Sequence, residues 1–289
     1  MSRPDSPQCP TASRRHRQKE LEVALFFTDI DGTLLNPERT LSERTIHAIR
    51  DIRSAGHHFV LCSSRMPESM RILERLYDGV DEPLIAYNGG LVLSRTGQVV
   101  HNVPITPRDA TTIAQYCEDV DLHASMFAGE DWHVWADDRW TAREINNTGV
   151  RPRDLSSQDY IASGQVDARP PHKIMCMGEA DLIDGLETLL SPVENVVTYR
   201  SKDTYLEIAN AGCSKGMGVA AAAAELGVDA SDCYFFGDNY NDIPAFSAVG
   251  TSVAVANGKP EVLAAATVTT ARHHDDGVAQ YLEEWLRRA

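Results

Sequence analysis

Asp29 and Asp31 close an apolar run, Val23-Ala24-Leu25-Phe26-Phe27-Thr28-Asp29-Ile30-Asp31-Gly32-Thr33-Leu34-Leu35. The run is short and apolar and ends in a Gly-Thr turn, so it reads as a buried strand. The two carboxylates then lie at the carboxyl end of that strand, where open α/β sheets keep their active sites. Like charges side by side repel, and a hard divalent cation with oxygen ligands is the usual compensation. Taken alone, the pair reads first as a strand running into an acidic turn.

Three further segments carry chemistry of a matching kind. Phe59-Val60-Leu61-Cys62 runs into Ser63-Ser64-Arg65-Met66-Pro67. A hydroxyl there, beside the free amides of a helix start, suits a phosphoryl oxygen. Lys215 follows Asn210-Ala211-Gly212-Cys213-Ser214 and opens a helix. The macrodipole disfavours a cation there, so the ammonium makes sense when it faces an anion. In Gly237-Asp238-Asn239-Tyr240-Asn241-Asp242 a strand delivers Asp238 to the sheet edge. The glycine before it permits close backbone approach, and Asp242 returns one turn later.

In this order the four segments resemble the motifs of the haloacid dehalogenase superfamily. The resemblance implies that Asp29 is the nucleophile, forming an aspartyl-phosphate, and that Asp31 is the general acid/base. Ser63 resembles motif two. Capped members often read Thr-Gly-Arg there, so Ser64 in Ser63-Ser64-Arg65 departs from the pattern. Lys215-Gly216 resembles motif three, whose Lys holds the nucleophile and the phosphate. Gly237 to Asp242 resembles motif four, which implies Asp238 as a direct Mg²⁺ ligand. Its Asn241 and Asp242 then position the phosphate and support the metal or Lys215. Asn88-Gly89-Gly90 and Tyr205-Leu206-Glu207-Ile208 resemble the Cof-type branch with a C2B cap. The implied site has Asp29 and Asp31 catalytic, Ser63, Ser64, Lys215 and Asn241 on the phosphate, and Arg65 and Asn88 on the substrate. Mg²⁺ is implied on Asp29, Asp238, Asp242 and Asp31, the last through its backbone carbonyl.

Strands and helices alternate around these segments. Strands are expected at 23–28, 59–62, 84–87, 233–236 and 253–255, and helices at 42–55, 67–77, from Ser214 to Gly227, and at 277–287. Short strands alternating with helices indicate βαβ units and a parallel sheet. Between them the pattern changes to a hairpin at 91–100 and strands at 122–128, 132–136, 172–177 and 196–200. The expected fold is α/β, a Rossmann-like doubly wound parallel sheet with an inserted α+β cap. The expected division is a solvated tail at 1–20, a core at 21–90 and 206–289, and a cap at 91–205. Trp132, Trp135, Trp140, Arg143 and Glu144 cluster in the cap. They read either as substrate contacts, stacking on a sugar or meeting a second anion, or as the cap's own packing.

A net charge of −15 over 289 residues argues against nucleic acid and anionic membranes, which need clustered Lys and Arg. No stretch approaches the roughly 18 apolar residues of a membrane span. The six cysteines contain no C-x-x-C pair, and most lie in apolar surroundings, as buried thiols of a reducing compartment do. The expectation is a cytoplasmic Mg²⁺-dependent phosphatase, monomer or homodimer, acting on a small phosphorylated metabolite. A phosphomutase or phosphotransferase on the same fold, or a non-catalytic regulatory protein retaining it, are the alternatives.

Overall fold

Thirteen short strands are gathered into two sheets in the computed structural model, which describes residues 23–289. The expected tail at 1–20 lies outside the described residues. In chain order the strands are β1 (Leu25–Thr28), β2 (His58–Cys62), β3 (Leu84–Ala86), β4 (Leu91–Leu93) and β5 (Val99–Asn102). Then come β6 (His123–Ala128), β7 (Asp131–His133), β8 (Lys173–Met177), β9 (Val196–Lys202) and β10 (Tyr205–Asn210). The last three are β11 (Cys233–Gly237), β12 (Thr251–Val255) and β13 (Val268–Thr270).

The larger sheet runs β13-β12-β11-β1-β2-β3-β4-β5, parallel from β13 to β3 and antiparallel at β4 and β5. Every residue of β1 is buried, because a central parallel strand is covered on both faces. Its side chains alternate between two clusters. Phe26 packs with Ile49, Ile52 and Leu282 beneath helices Glu43–Ser54 and Gly277–Arg288, while Leu25 and Phe27 pack with Val219 and Ala222 of helix Lys215–Leu226. This is the doubly wound arrangement that the alternating pattern predicts. The chain leaves β1 toward β2 on one side and has β11 on the other, so the order reverses at β1. Ligand crevices form at such a switch point.

Local signals at the helix ends are as read from the sequence. Ser42 accepts a hydrogen bond from the Thr45 amide, and Ser214 accepts one from the Met217 amide. Gly56 and Gly227 follow their helices in the left-handed region. Most element ends shift by one or two residues, and at three of them the local structure changes type. The helix expected at 67–77 gives way after Glu74 to a tighter 3₁₀ turn. Tyr87, expected to end β3, stands in a turn with φ +53°. The strand expected at 132–136 stops at His133.

The second sheet runs β7-β6-β8-β10-β9 and is antiparallel throughout. One face packs on helices Pro107–Asp119 and Ala180–Leu190 through Ile174, Cys176, Leu206 and Ile208. Side chains alternate along a strand, so Lys173, Met175, Tyr205 and Glu207 fall on the opposite face, where they line the clefts described below.

The expected boundaries of the insert, 91–205, are displaced at both ends. The hairpin β4–β5 extends the larger sheet, because Leu91, Val92 and Leu93 are buried against β3 and its covering elements. Tyr205–Asn210 pairs with β8 and β9, so it belongs to the second sheet. The chain therefore crosses between layers near 103–106 and 211–214. There Asn210 donates to the Pro104 carbonyl at 2.7 Å and accepts from the Gly212 amide at 2.7 Å, joining the two crossings. No helix among the described residues is long and apolar enough to cross a membrane.

Candidate active site

The strand ends bring the expected residues together by register. Thr28 of β1 lies opposite Phe236 of β11 and Leu61 of β2. The next residue on each strand is therefore Asp29, Gly237 and Cys62. Asp29 continues the ladder, its amide donating to the Phe236 carbonyl at 2.9 Å. Asp29 itself is only 7% exposed.

Lys215 reaches this point from the first turn of its helix and is wholly buried. Its ammonium donates to Asp29 Oδ1 at 2.6 Å and to Asp242 Oδ1 at 2.6 Å. The other oxygen of Asp242 accepts from the amides of Asp238 and Asn239, both at 2.9 Å. Both Asp242 oxygens are thus engaged within the protein, and this carboxylate orients Lys215 and the turn. Asp238 is held differently, by the Thr33 hydroxyl at 2.9 Å. Gly32 has φ +86°, and a Cβ there would come within 2.6 Å of Asp238 Oδ2. Similarly, a Cβ at Gly237 would come within 2.6 Å of Asp242. The two glycines let the acidic turns approach each other.

One oxygen each from Asp29, Asp238 and Asp242 lie within 4.8 Å of one another. Three carboxylates against one ammonium leave excess negative charge. Burial pushes the Asp29 carboxyl up to about 8; Lys215 opposes this, while Asp242 and Asp238 add to it. Burial, with the charge of Asp242, pushes Asp238 up to about 6. Burial alone would lower Lys215, but Asp242 and Asp29 outweigh it and raise it. An all-oxygen, anionic donor set of this kind fits a hard divalent cation. Asp29 and Asp238 have the oxygens to hold it, with Asp242 behind them.

Asp31 is turned away from this cluster. Arg65 grips it as a fork, Nε to Oδ2 and Nη2 to Oδ1, both at 2.7 Å, and Arg39 adds a bond to Oδ1 at 3.0 Å. Its side chain is 44% exposed at the mouth of a cleft. Burial acts to raise its pKa, but the hydrogen bonds and charge of Arg65, with Arg39, hold it below the usual value. The Asp31 side chain makes no part of the acidic cluster, so any metal contact from this residue falls to its backbone carbonyl.

The remaining expected residues ring the same point. Ser63 is buried, and its hydroxyl accepts from the Arg65 amide at 3.3 Å. Ser64 lines the cleft and offers its carbonyl to Lys173 at 3.0 Å. Asn88, at φ +55°, accepts from Asn241 at 3.0 Å and donates to Glu207 at 3.5 Å. Asn241 Oδ1 is buried and has no hydrogen-bond partner among the described residues.

Several residues here were not singled out from sequence. Thr33 and Arg39 hold Asp238 and Asp31, and Asn257 donates to the Gly32 carbonyl at 2.7 Å. Lys173 and Glu207 face each other at 3.6 Å from adjacent strands of the second sheet. Lys173 opening the apolar strand Lys173-Ile174-Met175-Cys176-Met177 was a legible signal, since a buried lysine requires a partner. The tryptophans resolve into packing. Trp132 is buried and stacks on Phe127 at 5.6 Å, and Trp135 packs on the second sheet's core. Trp140 meets Tyr205 edge-on at 5.4 Å. Of that cluster, Arg143 and Glu144 line the cleft.

Comparison with known proteins leads to the same place. Residues 26–282 match the haloacid dehalogenase-like hydrolase family. A Haemophilus influenzae protein provisionally named a phosphatase is 31% identical over 261 residues, which are 89% of this chain and 96% of that protein. A crystal structure of a haloacid dehalogenase-like hydrolase from Bacteroides thetaiotaomicron superposes with TM-score 0.84 at 21% identity, covering 91% of this chain and all of the other. The crystal structure of TM0651 from Thermotoga maritima superposes with TM-score 0.81 at 27% identity, covering 91% of this chain and 97% of its own. With the family's matched region running from β1 into the last helix, this chain belongs to the haloacid dehalogenase-like hydrolases.

Proposed function

We propose that the protein is a Mg²⁺-dependent phosphatase that hydrolyses small phosphorylated metabolites through an aspartyl-phosphate on Asp29. The observation that carries this reading is the buried Asp29–Lys215–Asp242 chain beside Asp238. It fixes one carboxylate oxygen and leaves the other to attack.

Lys215 holds Asp29 Oδ1, so Oδ2 is the attacking atom. Attack on phosphorus forms the Oδ2–P bond and breaks the bond to the leaving oxygen, dividing one difficult step into two. Asp29 and Asp238 would hold the cation, which when bound neutralises charge on the transferring phosphoryl group. The Lys215 ammonium and the Ser63 turn meet the equatorial oxygens, the kind of stabilisation that dominates phosphoryl transfer. Asp31 exchanges the proton. It gives one to the leaving oxygen and takes one from the water that attacks the phosphoaspartate. For this the Arg65 fork must release at least one Asp31 oxygen, and a substrate oxygen is the natural alternative for its guanidinium.

The cleft beside Asp31 adjoins a cavity of about 650 Å³, a size that suits a small metabolite. Phosphate release from an aryl phosphate provides the test. Release should require Mg²⁺ and stop in excess chelator, and Ca²⁺ should inhibit because its looser, higher coordination disturbs in-line geometry. Undiminished release in chelator would remove the metal from the account.

A further inference from the structure

The small cleft beside Asp31, about 240 Å³, carries more positive charge than its own carboxylates hold. Arg65 and Arg39 are paired with Asp31, and Lys173 with Glu207. That leaves Arg143 and Lys202, which line the cleft and form no ion pair among the described residues. Each lies over the ring of Tyr205, Arg143 at 5.0 Å and Lys202 at 5.7 Å from its centroid. Glu144 is the one other carboxylate lining this cleft, so two cations stand against one anion. They do so in a chain whose net charge is −15. The hydroxyl of Tyr205 is buried and makes no well-formed hydrogen bond among the described residues, the Arg143 guanidinium being its close polar neighbour. A buried polar group left without a partner is costly, and its usual explanation is a partner absent from the structure.

These residues converge on the leaving-group side. The cleft opens on Asp31, the proton donor to the leaving oxygen, and meets the larger cavity along Ser64, Met175, Tyr205 and Glu207. Arg143 and Lys202 are both exposed, and their contact with the one aromatic ring narrows the positions their charges take. We infer that Arg143, Lys202 and the Tyr205 hydroxyl bind a second anionic group, a carboxylate or a second phosphate, on the leaving part of the substrate. The substrate class is then a phosphomonoester of an acid or a bisphosphate. This rests on the phosphatase reading above.

The test compares substrates that differ in that one group. Glycerol 3-phosphate and 3-phosphoglycerate form the carboxylate pair, and glucose 1-phosphate and glucose 1,6-bisphosphate the phosphate pair. In the unaltered protein kcat/KM should favour the charged member of at least one pair by about tenfold or more, and which pair responds identifies the anion. Arg143→Gln with Lys202→Gln should abolish that preference, leaving the neutral member and an aryl phosphate unchanged. Arg143→Lys should retain part of it. Equal constants for both members of both pairs, or an equal loss on charged and neutral substrates in the double variant, would overturn the inference. Calorimetric binding of the same pairs to the Asp29→Asn chain separates the two readings. If aryl phosphate is not hydrolysed, the phosphatase reading falls. Tighter binding of a charged member, lost in the double variant, still sustains the second-anion site, and equal binding removes it.

Discussion

Asp29→Asn should lose at least ~10⁴-fold in kcat, the scale seen when the nucleophile of a covalent mechanism is removed. The amide is nearly isosteric, and Lys215 can still meet its Oδ1, but the attacking atom is now a nitrogen with no available lone pair. Folding should be preserved, because the residue ends a strand whose stability comes from Leu25, Phe26 and Phe27 packing into two clusters. Removing one of three neighbouring carboxylates also relieves repulsion, so the metal-free variant should be no less stable than the parent. Initial rates and a thermal melt of the same preparation check both halves. Wild-type turnover would reassign the nucleophile.

Lys215→Met carries the second large effect, and it strikes activity and stability together. The ammonium is wholly buried between Asp29 and Asp242, each at 2.6 Å. Breaking a buried pair by removing one partner typically costs ~3–5 kcal/mol, because charge is left uncompensated. Here two carboxylates lose their partner. Turnover should fall by at least ~10²–10³-fold, since a charge-stabilising donor at the reacting centre is lost as well. The stability deficit should depend on pH. Asp29 in the parent protein already has its carboxyl pushed up to about 8, and loss of Lys215 raises it further. A carboxyl whose folded pKa is raised contributes stability below its ordinary pKa and loses it as pH rises. Both proteins keep Asp29 protonated in the folded state up to about pH 8, so the variant's deficit, in chelator, should stay level from about pH 4 to 8 and widen above about pH 8, where the parent ionises Asp29 and the variant does not. Denaturant midpoints from about pH 5 to 10 check it, and a deficit that stays level above about pH 8 would mean that lost packing outweighs lost charge.

The contrast between these effects and the proposed role of the second sheet reflects what each part of the chain encodes locally. The β1, β2 and β11 segments were legible because each is a short apolar run broken abruptly by polar residues. The register of three parallel strands then puts those breaks side by side. Asp29, Lys215, Asp238 and Asp242 were legible for that reason, each at a strand end or helix start. The caps of helices Glu43–Ser54 and Lys215–Leu226 were legible because Ser42, Ser214, Gly56 and Gly227 act within one turn of their own position.

What the sequence could not supply depends on contacts between distant strands. Leu91-Val92-Leu93 reads as a hairpin arm whichever sheet it joins, and its burial against β3 decides the matter. Tyr205-Leu206-Glu207-Ile208 reads as a strand with two faces. That Tyr205 and Glu207 line the cleft, while Leu206 and Ile208 face the helices, follows from pairing with β8 and β9. The same limit explains the tryptophans. Trp132, Trp135 and Trp140 cluster in sequence but separate in space, and Arg143 reaches the cleft from a neighbouring position. The Arg65 fork on Asp31 joins the ends of two strands and shows only once their order is known.

The central claim is that phosphate passes through a covalent bond to Asp29, and a single-turnover trap tests it most directly. The Asp31→Asn variant, with Mg²⁺ and an aryl phosphate, should form the phosphoaspartate, since the leaving group departs without help, and hydrolyse it slowly for want of a base to activate water. After rapid acid quench and proteolysis, mass spectrometry should find the peptide containing Asp29 heavier by one phosphoryl group. The amount should approach one equivalent, and the signal should be absent when Asp29 is also changed to Asn. A phosphoryl group on any other residue, or release of aryl alcohol and phosphate together with no labelled peptide at any quench time, would contradict the account.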